Sequence, residues 1–305
     1  MSALRSLILA AADSRRLQRF VQKYGFRLGA ARFVAGESLD AAVPVLRRLN
    51  EQGLRTNTTL LGEGVGDEAE TREVVAAYRA VLDRIQAEGL RTNVALKLTH
   101  LGLSIDEELA QRNLAELVEH AAQRENFIRI DMEESSHVDA TLRIYRSLRE
   151  SGHDNVGAVL QSYLFRTEAD LAALLPLAPN LRLVKGAYLE PPEIACPRKR
   201  DVDAAYVRLL ETSLAADGFT AVATHDETLI EHTIMFAREH GIPRERFQFQ
   251  MLYGIATRLQ LDLVRRGFDV LVATPYGPEW YRYLMRRLAE RPANLLFLLR
   301  NLVRG

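Results

Sequence analysis

Residues 220–252 read TAVATHDETLIEHTIMFAREHGIPRERFQFQML. TAVATHD is a short apolar run of the kind that makes a buried strand, and FQFQML at 247–252 is a second. The segment between them carries helical spacing, so the unit is strand, helix, strand. Working outward, the unit recurs. TNTTLL (56–61), NVALKL (93–98), FIRIDM (127–132), VGAVLQSY (156–163) and LRLVKGAY (181–188) precede it, and FDVLVATP (268–275) follows.

The intervening segments are helical by pattern. TREVVAAYRAVLDRIQAEG (71–89) puts Val74, Val75, Tyr78, Val81, Leu82 and Ile85 on one face. DVDAAYVRLLETSLAADG (201–218) gathers Val202, Ala205, Tyr206, Leu209 and Leu210, with Gly218 read as its C-terminal stop. Eight strands, each followed by a helix, over about 240 residues predict an α/β fold, the (β/α)8 TIM-type barrel. A doubly wound open sheet fits less well, because no G-x-G-x-x-G follows the first strand. Residues 1–52 read as an N-terminal helical segment packed on the barrel, which occupies 53–305 with its C-terminal helices; the whole is a single domain.

Composition narrows the function. The chain has 305 residues, 48% hydrophobic and 26% charged, as a protein with a substantial core requires. Lys+Arg and Asp+Glu balance at 40 each, so no global field draws the protein to nucleic acid or anionic lipid. Cys196 is the only cysteine, which excludes an internal disulfide and suits a reducing cytosol. No run of 18 apolar residues exists. The first 20 residues loosely resemble a signal peptide, but their apolar run is short and continues as a helical pattern. PANLLFLLRNLVRG (292–305) is apolar enough to touch a membrane surface, though docking on the body is the preferred reading.

In a barrel the functional groups gather at the C-terminal ends of the strands. The strand ends here carry Glu63, Lys97, Asp131 (followed by Glu133 and Glu134), Gln161 and Tyr163, then Arg182, Lys185 and Tyr188, Thr224 and His225, Gln250, and Tyr276. A divalent-metal site could draw on Asp131, Glu133 and His225, but lysine and arginine on the same rim oppose a cation. A Schiff-base lyase would use Lys97 or Lys185. A phosphate-binding barrel wants glycine-rich loops after strands 7 and 8, and ATPYGPEW (273–280) has one glycine. Several cations, an aspartate, and amide and hydroxyl donors suit a large anionic cofactor with a small carboxylate substrate. A colourless binding protein on the same barrel is the reading from outside enzymology.

WYRYLMRRLAERP (280–292) places Tyr283, Arg286, Arg287 and Glu290 on one stripe, beside the apolar stripe of Tyr281, Leu284, Met285 and Leu288. Taken alone, the polar stripe is a solvated face with an Arg286–Glu290 i,i+4 pair.

Seven motifs, in order along the chain, resemble the proline dehydrogenase family. They are VALKLTHLGL (94–103), RIDMEES (129–135), VLQSYLFRT (159–167), RLVKGAYLE (182–190), VATHD (222–226), FQFQMLYGI (247–255) and YLMRRLAE (283–290). The resemblance implies a short monofunctional bacterial form with non-covalent FAD, oxidising L-proline to Δ1-pyrroline-5-carboxylate. It implies cofactor contacts from Met132, Gln161, Arg182, Lys185, Gly186, Ala187, Tyr188, Thr224 and His225, and no metal. Arg286 and Arg287 would clamp the proline carboxylate, oriented by Glu290 on a last helix over the barrel mouth. Leu252, Tyr276 and Tyr283 would wall the ring. Lys97 and Asp131 would form a rim pair that orders the site, with Arg182 beside the flavin, and Glu63 would close the site on Arg286. The same resemblance implies a quinone acceptor (ubiquinone or menaquinone) at the membrane and a separate pyrroline-5-carboxylate dehydrogenase downstream. It also implies a cytoplasmic enzyme that reaches the inner face of the membrane. Leu189 departs from the pattern, since many members carry tryptophan there.

Overall fold

In a computed structural model of the chain, the described residues are 19, 21, 30–62 and 64–290, the last five by backbone alone. Helix α1 (Leu39–Glu51) opens at Ser38, whose side chain accepts from the Ala41 amide, and leads into strand β1 (Arg55–Leu60). The chain then alternates: α2 (Glu68–Ala87), β2 (Thr92–Leu96), α3 (Glu107–Ala122), β3 (Ile128–Ile130) and α4 (Val138–Glu150). β4 (Val156–Gln161), α5 (Thr167–Leu174), β5 (Asn180–Val184), α6 (Lys199–Ala215), β6 (Phe219–Ala223) and α7 (Glu227–Glu239) follow. β7 (Phe247–Leu252), α8 (Thr257–Arg265), β8 (Val270–Tyr276) and α9 (Trp280–Glu290) complete the count. Aspartates cap three of these helices: Asp67, Asp106 and Asp226 accept from the amides of Glu70, Leu109 and Thr228.

The eight strands pair in order, all in parallel, and β1 closes on β8. The predicted (β/α)8 barrel is therefore the observed fold, with every predicted strand in place. The helix faces were also legible. Val75, Tyr78, Val81, Leu82 and Ile85 of α2 and Ala205, Tyr206, Leu209 and Leu210 of α6 are buried. They pack against outward-facing strand residues such as Val94, Leu183 and Val222 in one continuous core. Each large side chain so buried contributes about 1.5–3 kcal/mol.

A second cluster joins Ala30, Phe33 and Val34 to Ile255 and to Trp280, Tyr281, Leu284 and Met285 of α9. Trp280 is 1% exposed, and its indole N–H donates to Glu37 Oε1 at 2.8 Å. This seat explains why α9 borders the barrel mouth: its apolar stripe is held there by the chain that precedes α1. Leu288 and most of the first predicted helical stretch, 19–29, lie outside the residues whose side chains are described.

One expectation is corrected. Gly218 does not end α6, which stops at Ala215 with Ala216 in extended conformation. Gly218 has φ +117°, and a Cβ there would sit 2.4 Å from the Pro179 carbonyl oxygen. Its job is to let the start of β6 pass close to the start of β5. Gly218→Ala should therefore destabilise the fold by more than about 1 kcal/mol, read from denaturant unfolding, through a clash and a strained φ together.

Candidate functional site

The strands deliver their last inward-facing residues to a cavity of about 680 Å³ at the C-terminal end of the barrel. Its floor is built around Arg182, near the middle of β5 and 8% exposed. The guanidinium is held from β1, from β7 and from the residue that follows β3. Nη1 donates to Asp131 Oδ1 at 2.7 Å, Nε to Gln250 Oε1 at 2.5 Å, and Nη2 to Asn57 Oδ1 at 3.3 Å. These bonds use three of the five N–H groups and leave one on each terminal nitrogen. Burial lowers the pKa of Arg182 below its ordinary value, and the Asp131 carboxylate opposes that shift.

Lys97 and Asp131 follow directly on β2 and β3. The Leu96↔Ile130 pairing and the Asp131 amide bonded to Leu96 O at 2.8 Å set them side by side. Both line the cavity. The ion pair formed at Asp131, however, is with Arg182, not the expected rim pair with Lys97. Sequence order favoured the adjacent strand, while Arg182 reaches across the barrel interior from β5.

Lys185 sits between two carboxylates, Asp203 at 2.6 Å and Asp226 at 3.3 Å, and Lys199 also pairs with Asp203. Despite partial burial, these two lysines hold Asp203 below the usual carboxylate range. Lys185, Lys199 and Asp226 all border the cavity, so two cations stand on one side of it. Gly186 follows with φ +109°. A Cβ there would strike the Tyr163 ring at 2.2 Å, so the glycine is demanded by Tyr163 before any ligand arrives.

His225 accepts the Leu252 amide through Nε2 at 2.9 Å. A backbone N–H can only donate, so this imidazole is neutral and carries its proton on Nδ1. Thr224, Gln161, Met132, Ala187, Tyr188, Leu252 and Tyr283 complete the predicted lining. Gln161 is fixed by donating to Glu133 O at 3.0 Å.

Tyr276 is not brought to the cavity. Ala273 and Pro275 take the inward positions of β8, and the period of two leaves Tyr276, 4% exposed, in the core it shares with Tyr78. Glu63 and the side chains of Arg286, Arg287 and Glu290 lie outside what is described. The two acids and the histidine of the metal alternative are engaged separately: Asp131 by Arg182, Glu133 by Thr99, His225 by Leu252. Among the described residues no group of three His, Cys, Asp or Glu could hold a metal ion. No helix among them is long and apolar enough to cross a membrane.

Sequence reasoning missed Asn57, Lys199 and Asp226 as lining residues. Asn57 had a signal, because asparagine is disfavoured in strands. It also missed Arg129, two residues before Asp131 and 2% exposed, which forms no ion pair among the described residues. Arg129 donates to Ala158 O (3.0 Å), Asn180 O (2.8 Å) and Asn180 Oδ1 (2.5 Å), with its guanidinium 4.8 Å from the Phe127 ring centroid. Burial, reinforced by Arg182, pulls its pKa down to about 9, so it remains charged at neutral pH.

Beneath the rim, Glu133 accepts from the Thr99 amide (3.1 Å) and hydroxyl (2.6 Å). Burial nonetheless raises its pKa above the ordinary 4.5, outweighing those two bonds. The folded state thus binds this proton more tightly than the unfolded chain. The stabilisation is full below the unfolded pKa and is lost as pH rises through the folded one. Glu133→Gln removes the dependence. The unfolding free energy of the variant minus that of wild type should rise between roughly pH 4 and the folded pKa, then level off. Denaturant titrations across that range check it.

Residues 42–300 match the family model described as proline dehydrogenase. Proline dehydrogenase 1 of Bacillus subtilis (strain 168) is 40% identical over 301 residues, covering 99% of both chains. The proline dehydrogenase of Deinococcus radiodurans is 40% identical over 305 residues, 99% of this chain and 98% of that one. Among solved structures, proline utilization A from Bdellovibrio bacteriovorus superposes with a TM-score of 0.82 at 24% identity. That likeness is one of fold and spans 89% of this chain but 33% of the larger one. By a family model that covers most of its length and by full-length relatives at 40% identity, the chain belongs to the proline dehydrogenase family.

Proposed function

We propose that this protein oxidises L-proline to Δ1-pyrroline-5-carboxylate with non-covalently bound FAD, the first step of proline catabolism to glutamate. The observation that carries the reading is a coincidence of place. Every residue with a described side chain that the family motifs single out for the site, Tyr276 excepted, lines one cavity at the catalytic end of the barrel.

The lining fits FAD on its own chemistry. Met132, Val159, Val184 and Ile255 offer apolar surface to a flat ring system, and Lys185 and Lys199, held by Asp203 and Asp226, would offer their remaining N–H donors to a pyrophosphate. Arg182 keeps one N–H on each terminal nitrogen that would meet negative charge on the ring. Bound there, FAD supplies a two-electron acceptor at N5 for hydride from the C5 carbon of proline.

The remaining work belongs to the chain. Arg182 is already fixed by Asp131, Gln250 and Asn57, so its charge is in place before substrate binds. His225, neutral with its proton on Nδ1, is a directed donor. Leu252 and Tyr283 wall the proline ring and exclude water, and Lys97 adds a cation to the same rim. Arg286 and Arg287 clamp the carboxylate, Glu290 orients them, and Glu63 closes on Arg286. Electrons pass to a ubiquinone or menaquinone at the inner face of the membrane, and a separate pyrroline-5-carboxylate dehydrogenase consumes the product.

The purified protein should show the absorption bands of oxidised flavin, bleached anaerobically by L-proline; a colourless protein that takes up no FAD sinks the reading. Arg287→Met should raise KM for proline by about tenfold or more while the flavin spectrum stays unchanged, since a charge-assisted pair contributes about 1.5–3 kcal/mol. Glu63→Ala should lower kcat/KM at normal FAD content.

A further inference from the structure

A line of hydrogen bonds runs down the inside of the barrel from the cavity floor to its opposite end. Arg182 Nε donates to Gln250 Oε1 (2.5 Å), Gln250 Nε2 to Gln248 Oε1 (2.8 Å), and Gln248 Nε2 to Asp269 Oδ2 (2.7 Å). Asp269 ends the line against Arg55 at 3.3 Å. Gln250 and Gln248 are 5% and 6% exposed, inward neighbours on β7.

The line has one allowed polarity. A guanidinium only donates and a carboxylate only accepts, so the two ends dictate how both amides lie. Gln250 must turn its oxygen to Arg182, its nitrogen must then find an acceptor, and Gln248 supplies one because Asp269 accepts from the Gln248 nitrogen. Reverse one amide and two N–H donors face each other inside the barrel. A glutamine beside Arg182 could rotate freely; this one has its rotation fixed from below.

We propose that Gln250 is a positioning residue for Arg182, and that Gln248 and Asp269 act through it by fixing which end of its amide faces the guanidinium. Asp131 supplies the opposite charge, whereas Gln250 fixes the plane, because Nε is the one nitrogen that the arginine cannot reorient without moving its whole side chain. The inference rests on the flavin reading for its kinetic readout alone.

The fixed polarity supplies the test. Gln248→Glu sets a second carboxylate against Asp269, and when both are ionised their repulsion drives the new side chain out of place and withdraws the acceptor from Gln250. Turnover per bound flavin should fall about tenfold near pH 8 with KM for proline moved far less, and should recover as pH falls and the introduced carboxylate takes a proton. Asp269→Asn alone can still accept from Gln248 through its amide oxygen but is no longer bound to do so, and its loss should be smaller than that of Gln248→Met. Combined with Gln248→Glu it donates to the new carboxylate, which still accepts from Gln250, and turnover should return to within about threefold of wild type at every pH. Where Gln248→Glu does not fold, Gln248→Met removes the same acceptor, carries the same loss, and is not rescued by Asp269→Asn. Unchanged turnover per bound flavin in these variants, or a loss explained wholly by lower FAD content, overturns the proposal, as does failure of the double variant to recover. If the wild-type protein binds no flavin, the functional reading fails separately. Crystal structures of the same variants then decide the positioning: Arg182 Nε should leave Gln250 Oε1 in Gln248→Glu and return to it in the double variant.

Discussion

The site depends on one buried cation. Arg182 is taken out of water by the barrel, and Asp131 alone does not repay that cost. Removing a charged group from water costs several kcal/mol, and a buried pair recovers it when its remaining hydrogen-bonding groups are satisfied. Here Gln250 and Asn57 provide that satisfaction, and each comes from a different strand. Loss of Asp131 would leave an uncompensated buried charge, a defect worth about 3–5 kcal/mol. The requirement ties β1, β5, β7 and the end of β3 to one atom group, so the site exists only where the barrel is closed.

That dependence also separates what the sequence could reveal from what it could not. The eight strands were legible because both faces of a barrel strand are packed, which writes continuous apolar runs with polar residues at one end. Helix faces were legible because α2 and α6 pack on the core through one stripe. The rim residues Lys97, Asp131, Gln161, Arg182 and His225 could be found because the fold class says which end of each strand to inspect. Their partners could not. Arg182 bonds Asn57 from 125 positions away and Gln250 from 68, and such distances close only once strand register is known.

Two of the misreadings have the same origin. Tyr276 is polar and ends a strand, so it looked like a wall of the pocket, but one step of register decides which side of β8 it takes. Gly218 stands where a helix stop is expected, yet its reason is the carbonyl of Pro179, a contact between strands that no helix rule contains. Local rules identified what these residues are. Tertiary contacts decided why they are there.

The two buried arginines of the barrel are not held alike, and the difference bears on the cavity floor. Arg129 lies one layer below Asp131, two residues back along the strand or about 7 Å. Its acceptors are two carbonyls and one amide oxygen, all neutral. Of the two buried guanidiniums only Arg182 is ion-paired among the described residues, with Asp131, while Glu133 beneath the rim and Asp269 at the far end of the barrel are engaged elsewhere, so the field of Arg129 adds to that of Arg182 from below. In a low-dielectric interior such a charge is felt over several ångströms more than it would be in water. The cavity thus presents an electropositive base that exists before any ligand arrives, held by dipoles that need not reorganise when negative charge appears above them. A buried guanidinium held only by neutral acceptors thus adds to the floor beneath Arg182 a positive potential that no neighbouring carboxylate cancels directly.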